Sequence, residues 1–173
     1  MAAGATYEPI ATYTTSGSAT NYTFSNIPQT YTDLVLVFKG SMSTFGGIWM
    51  RVGNGSVDSG ANYSGQGLYS PGGRNNDYNV YGLNALNATE YQALGWGIGI
   101  GVYESVCRTN IANYSNTTTY KTIIGRSDSY FYGAQMNVGT WRSTAAINTI
   151  YLFATGGNIT NGSTFTLYGI ATA

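Results

Sequence analysis

The groups in this sequence that could do chemistry are few. Seven carboxylates, Glu8, Asp33, Asp58, Asp77, Glu90, Glu104 and Asp128, occur without a single histidine. Hydrolysis of a glycoside needs two carboxyls about 5–9 Å apart, one to give a proton and one to attack or to activate water. Position along the chain does not supply that distance. Asp33 and Asp128 read as strand-end residues, and Asp58 and Asp77 as loop residues that bond their own backbone. Calcium on Asp58 or Asp77 would lack the Asp-x-Asp spacing of a dedicated oxygen cage. The one cysteine, Cys107, lies on an expected strand between Val106 and Arg108. There a thiol acts as a small hydrophobe, and as a nucleophile it would have no imidazole base. Gly97-x-Gly99-x-Gly101 has the glycine spacing of a dinucleotide loop. Such a loop joins a strand to a helix whose N-terminus meets the pyrophosphate, whereas here the period-two alternation runs on through both flanks. No catalytic, cofactor-binding or metal-ligating residue is assigned, no cofactor is expected, and the chain is expected not to be an enzyme.

Binding chemistry is better represented. Trp49, Trp96, Trp141, Tyr63, Tyr69, Tyr78 and Tyr81 could stack on sugar rings, but Trp and Tyr also anchor cores and subunit interfaces, and that reading is preferred. As a strand, residues 95–102 put Trp96, Ile98, Ile100 and Val102 on one face and only glycines on the other. A bare glycine face lets an aromatic ring or another backbone approach closely. Tyr130-Phe131-Tyr132 places rings on both faces of another strand. Trp96, Gly97, Gly99, Gly101, Tyr130, Phe131 and Tyr132 are therefore the interface candidates. Eight Asn-x-Ser/Thr triplets, at Asn21, Asn54, Asn62, Asn87, Asn113, Asn116, Asn158 and Asn161, are read as turn residues.

The composition bounds these readings. In 173 residues there are seven Lys plus Arg and seven Asp plus Glu, so the net charge is zero and only 8% of residues are charged. Five arginines and two lysines cannot coat a phosphate backbone, which excludes nucleic acid as a partner. One cysteine and no histidine leave no thiolate or imidazole metal cage, and no internal disulfide. The 16 Asn, 15 Ser and 23 Thr, with 16 Tyr, replace ions as the hydrating groups. Such a surface responds little to salt and offers little like-charge repulsion between copies. The start has no targeting signal, and the longest apolar stretch, Leu94–Val102, carries four glycines, where a membrane span needs ~20 residues. A soluble chain made in a cytoplasm, with no membrane partner, is expected.

The elements that must position these residues are strands. Period-two alternation with frequent turn signals predicts about nine or ten of them, an all-β, antiparallel, jelly-roll-like β-sandwich in a single domain spanning 1–173. Residues 1–8 read as a short N-terminal arm and 56–105 as a variable, loop-rich insertion. Asp33–Lys39 is apolar on both faces, which predicts a central strand covered on both sides. Asn54-Gly55 predicts a hairpin turn.

Three stretches carry a resemblance. They are Tyr7-Glu8-Pro9-Ile10-Ala11-Thr12 leading to Phe24-Ser25-Asn26-Ile27-Pro28-Gln29-Thr30-Tyr31-Thr32-Asp33-Leu34-Val35-Leu36; Asn113-Tyr114-Ser115-Asn116-Thr117-Thr118-Thr119-Tyr120-Lys121-Thr122; and Trp141-Arg142-Ser143-Thr144-Ala145-Ala146-Ile147 running on to Gly162-Ser163-Thr164-Phe165-Thr166-Leu167-Tyr168-Gly169-Ile170. Together they resemble small tailed-bacteriophage virion proteins with a β-sandwich fold, found as capsid decoration proteins or tail-fibre modules. The likeness covers the two ends and the 110–127 hairpin, and residues 56–105 lie outside it. It implies a virion protein. A chain this short has no room for a fibre's shaft and attachment domain, so the expectation is a capsid decoration (cement) protein that binds and stabilises the assembled head. The expected partners are the phage major capsid protein, or another virion protein, and further copies in a homotrimer. The alternative is a receptor- or glycan-binding module of a tail or head fibre, with a glycan as ligand.

Overall fold

The computed structural model describes residues 6–70, 81–91, 101, 103–129 and 133–171. Among the described residues there are twelve strands and no helix: β1 (Tyr7–Thr14), β2 (Asn21–Phe24), β3 (Asp33–Gly40), β4 (Gly47–Asn54), β5 (Ser56–Val57), β6 (Tyr63–Ser70), β7 (Tyr81–Ala88), β8 (Ser105–Ala112), β9 (Lys121–Ser129), β10 (Gly133–Trp141), β11 (Thr149–Thr155) and β12 (Thr164–Ile170). An eight-stranded sheet runs in the order β1-β12-β3-β8-β9-β10-β6-β7, and a four-stranded sheet in the order β2-β11-β4-β5. The chain is an antiparallel all-β sandwich, and it crosses between the sheets with successive strands at both ends.

The core lies where the inner faces meet. Leu34, Leu36 and Phe38 of β3, Cys107 and Ile111 of β8, Ile123 of β9 and Phe165 and Leu167 of β12 pack against Ile48, Met50 and Val52 of β4 and Ile150 and Leu152 of β11. Each of these strands contributes every second residue, as the pleat requires. β3 sits between β12 and β8, and Val35, on its outer side, is buried as well. β3 is central in its sheet as its apolar run implies, but its outer side is covered only in part: Val37 is half-buried and Lys39 exposed.

Turn chemistry follows the sequence at several points. Asn113 takes φ 50° while its N–H donates to Asp33 Oδ1 at 2.7 Å, so Asp33 closes a strand end. Asn116 Oδ1 accepts the N–H groups of Thr118 and Thr119 at 2.7 and 2.9 Å. Gly55 takes φ +78° in the β4–β5 turn. The structure also departs from expectation. Residues 56–105 contain two eight-residue strands of the large sheet, β6 and β7. The alternation of β6 is hidden because Gly65 and Gly67 stand where side chains would mark the inner face. The missing bulk comes from elsewhere: a Cβ on Gly139 would lie 2.2 Å from the Tyr91 ring, and one on the facing Gly65 would lie 3.4 Å from it. Tyr31 covers Gly169 in the same way, at 2.3 Å. A ring over bare backbone is the close approach that glycine permits.

Candidate functional site

Several carboxylates among the described residues are held by partners of their own. Asp58 accepts Trp141 Nε1–H at 2.7 Å, Asn62 Nδ2–H at 2.9 Å and Gly60 N–H at 2.8 Å. Burial pushes this carboxyl up, but the three donors outweigh it and hold it below the ordinary aspartate value. Glu90 pairs with Arg51 at 3.0 Å, and Glu104 with Lys39 at 3.2 Å on the surface. Asp77 lies outside the described residues. Among the described residues no three potential metal ligands cluster. Cys107 is fully buried, and burial raises its thiol far above the usual range. Lys121 is a feature that sequence reasoning missed. It is buried beneath the 116–119 turn, donates to Thr119 O at 2.7 Å and Thr144 O at 3.2 Å, and is lowered by burial. An alternating strand pattern gives no sign that an inward position will be a lysine held by carbonyls.

The structure instead gathers an apolar surface. On the outer side of β6, β8, β9 and β10 stand Leu68 (58% exposed), Val106 (57%), Met136 (56%), Val138 (45%) and Ile124 (39%). Register ties them into rows across the strands. Leu68, Met136, Arg126 and Arg108 form one row; Ser70, Ala134, Asp128 and Val106 form the next; Gln66, Val138, Ile124 and Asn110 form a third on the other side of the first. Between the first two rows a shallow depression of about 330 Å³ is lined by Val106, Arg108, Arg126, Ser127 and Asp128. Arg108 donates Nη2–H to the Tyr7 hydroxyl and lies 5.4 Å from that ring's centroid. Tyr7 meets Tyr168 edge-on at 6.2 Å.

The outer side of the small sheet carries a second feature. Tyr151 and Phe153 stack at 5.4 Å, Arg51 lies 5.0 Å over Phe153, and Trp49 meets Phe153 edge-on at 6.4 Å. Phe153 and Tyr151 are half-buried.

Most of the interface candidates named from sequence are not among the described residues. Trp96, Gly97, Gly99, Tyr130, Phe131 and Tyr132 lie outside the described residues, as do Tyr78 and the side chain of Tyr81. Gly101 is described: it is exposed, takes φ +61° in a turn rather than a strand, and donates its N–H to Met42 O at 3.0 Å. Trp141 and Tyr63 are core residues. Tyr63 donates to Val52 O and Asp58 O and accepts from Val52 N–H at 2.9 Å. What sequence reasoning missed is the aliphatic face. Its members come from four strands, and only cross-strand register makes them neighbours.

No family model matches this chain, and no curated protein matches it. Among solved structures it is similar to a crystal structure of the marine PL-14 alginate lyase from Aplysia kurodai. The identity is 11%, the match covers 85% of this chain and 72% of that one, and the TM-score is 0.39. Against the expectation that this chain is not an enzyme stands that solved structure, a lyase, and the expectation is withdrawn; the likeness assigns no activity to this chain. At that identity and TM-score the likeness concerns the course of the chain and gives none of its residues a role.

Proposed function

We propose that this chain is a tailed-bacteriophage virion structural protein, a decoration module that sits in the particle with the outer face of its eight-stranded sheet covered. The observation that supports this reading is the aliphatic cluster of Leu68, Met136, Val138 and Ile124, held in solvent on the sheet. An exposed apolar patch of several hundred Å² is the mark of a surface that another molecule covers. The chain's low charge fits the same role, since close-packed copies gain little repulsion. Binding only to the assembled lattice stabilises it by mass action. The resemblance of the two chain ends to phage virion proteins supplies the kind of particle. The test is co-sedimentation of the purified protein with heads of its phage that lack it. Saturable binding is expected, with loss on Met136→Asp; no binding to heads at any concentration of the protein overturns the proposal.

A second reading, a glycan-binding fibre module, draws on the Tyr151–Phe153 ledge beside Arg51. It is tested on a glycan array, where Tyr151→Ala should abolish any signal.

A further inference from the structure

The rows on the outer sheet face differ in size in a regular way. Leu68, Met136, Arg126 and Arg108 are all long; Ser70, Ala134, Asp128 and Val106, one step along each strand on the same face, are all short. A ridge therefore runs across four strands beside a parallel trough. The charges alternate with it, Arg126 on the ridge and Asp128 in the trough. Neither arginine forms an ion pair with a carboxylate among the described residues. Arg108 and Arg126 are also direct cross-strand neighbours, and like charges so placed are destabilising unless a partner brings a compensating group.

A surface made of a ridge and a matching trough is complementary to itself. Consider a two-fold axis lying between two such faces, parallel to the ridge and passing over Ser127 of β9. It lays the strands of the two copies antiparallel and sets each ridge in the other's trough. Leu68 then meets Ser70, Met136 meets Ala134, Arg108 meets Val106, and Arg126 meets Asp128, each twice by symmetry. This is an isologous contact, which closes at two copies. The sheets would stack about 10 Å apart, as in a sandwich. Four strands spaced ~4.8 Å by six residues at ~3.3 Å give a footprint of about 400 Å². Extension over β3, β12 and β1 brings it to roughly 700 Å², close to the ~800 Å² per partner of a standard interface. The chain's zero net charge leaves no long-range repulsion to prevent the approach.

We infer that the outer face of the eight-stranded sheet is a homodimer interface, in which the Leu68–Met136–Arg126–Arg108 ridge of one copy fills the Ser70–Ala134–Asp128–Val106 trough of a second. The inference rests on the reading that this face is covered, and names a second copy of the chain as what covers it first. It replaces the three-fold assembly that the family likeness implies.

The test uses the purified full chain and two single variants, Arg126→Asp and Asp128→Arg, in sedimentation velocity and size-exclusion light scattering. The parent should be a dimer. Each variant alone sets two like-charged pairs across the axis and should weaken its homodimer by about tenfold or more. Mixed one to one, the two variants should form a heterodimer, because both acidic side chains of the first variant then face the two basic side chains of the second. Circular dichroism of both variants should match the parent, since both positions are exposed. A monomeric or trimeric parent, variants that dimerise as tightly as the parent, or a mixture that fails to recombine would each overturn the inference. Because no phage particle enters this experiment, a dimer that does not bind heads refutes the virion reading alone, and a head-binding monomer refutes the two-fold alone.

Discussion

At the scale of single residues, most polar chemistry in this protein is spent on holding backbone in place. Asp58 collects donors from Trp141, Asn62 and Gly60, and Asp33 closes the turn at Asn113. Ionisation of Asp58 is linked to stability with a definite sign. Its folded pKa lies below the ordinary value of 3.8, so between the two the unfolded chain binds more protons than the folded one. The stabilisation is complete above about pH 4 and is lost as the pH falls through the folded value. Chemical denaturation followed from about pH 5 to pH 2 should show that loss. Asp58→Asn should be less stable at pH 7 by about 1–3 kcal/mol, the worth of hydrogen bonds to a charged acceptor, and should show a flatter acid limb. An acid limb of equal slope in both proteins would rule this out.

At the scale of elements, glycine and tyrosine act together. The β6–β10 pair lacks side chains at Gly65 and Gly139, and the Tyr91 ring lies over both, its hydroxyl donating to Ile123 O at 3.3 Å. Tyr91 also bonds Met50 in both directions, Met50 N–H to Tyr91 O at 2.7 Å and Tyr91 N–H to Met50 O at 2.8 Å. One residue thus ties β4 of the small sheet to the far half of the large one. Gly139→Ala places a methyl where the ring lies and should cost about 1–3 kcal/mol, the usual penalty of overpacking. Thermal melts would show it, and Gly139→Ala combined with Tyr91→Ala should cost less than the sum of the two single changes. Strict additivity would mean that the ring and the glycine are not coupled. The same logic was the expectation for residues 95–102, of which Gly101 alone is described, exposed in a turn. The structure displays it at Gly65, Gly139 and Gly169, whose covering tyrosines are distant in sequence.

At the scale of the whole molecule, a sandwich with seven positive and seven negative side chains holds itself together with little help from ion pairs. Among the described residues the two salt bridges are Lys39–Glu104, exposed on both sides, and Arg51–Glu90, more sheltered. Surface pairs contribute roughly 0–1 kcal/mol each and are screened by salt. The melting temperature should therefore move by no more than about 3 °C between low salt and about 0.5 M sodium chloride. A large drop with salt would show that charge, not burial, dominates stability.

Taken by itself, the sequence determined the class of the fold, the central place of β3 and the turns at Asn54-Gly55 and Asn113. Each of these is a local property: alternation fixes which side chains share a face, an apolar run on both faces calls for cover on both sides, and Asn and Gly tolerate turn backbone at little cost. Strand β6 escaped because Gly65 and Gly67 hold inner positions, and the bulk over Gly65 is carried by Tyr91. The candidate surface escaped for a related reason. Leu68, Ile124 and the Met136–Val138 pair lie far apart in the sequence, and a one-residue slip in pairing would scatter them. Only the register of β6, β10 and β9 sets them side by side, and that register is decided by how the buried faces pack, not by any one strand.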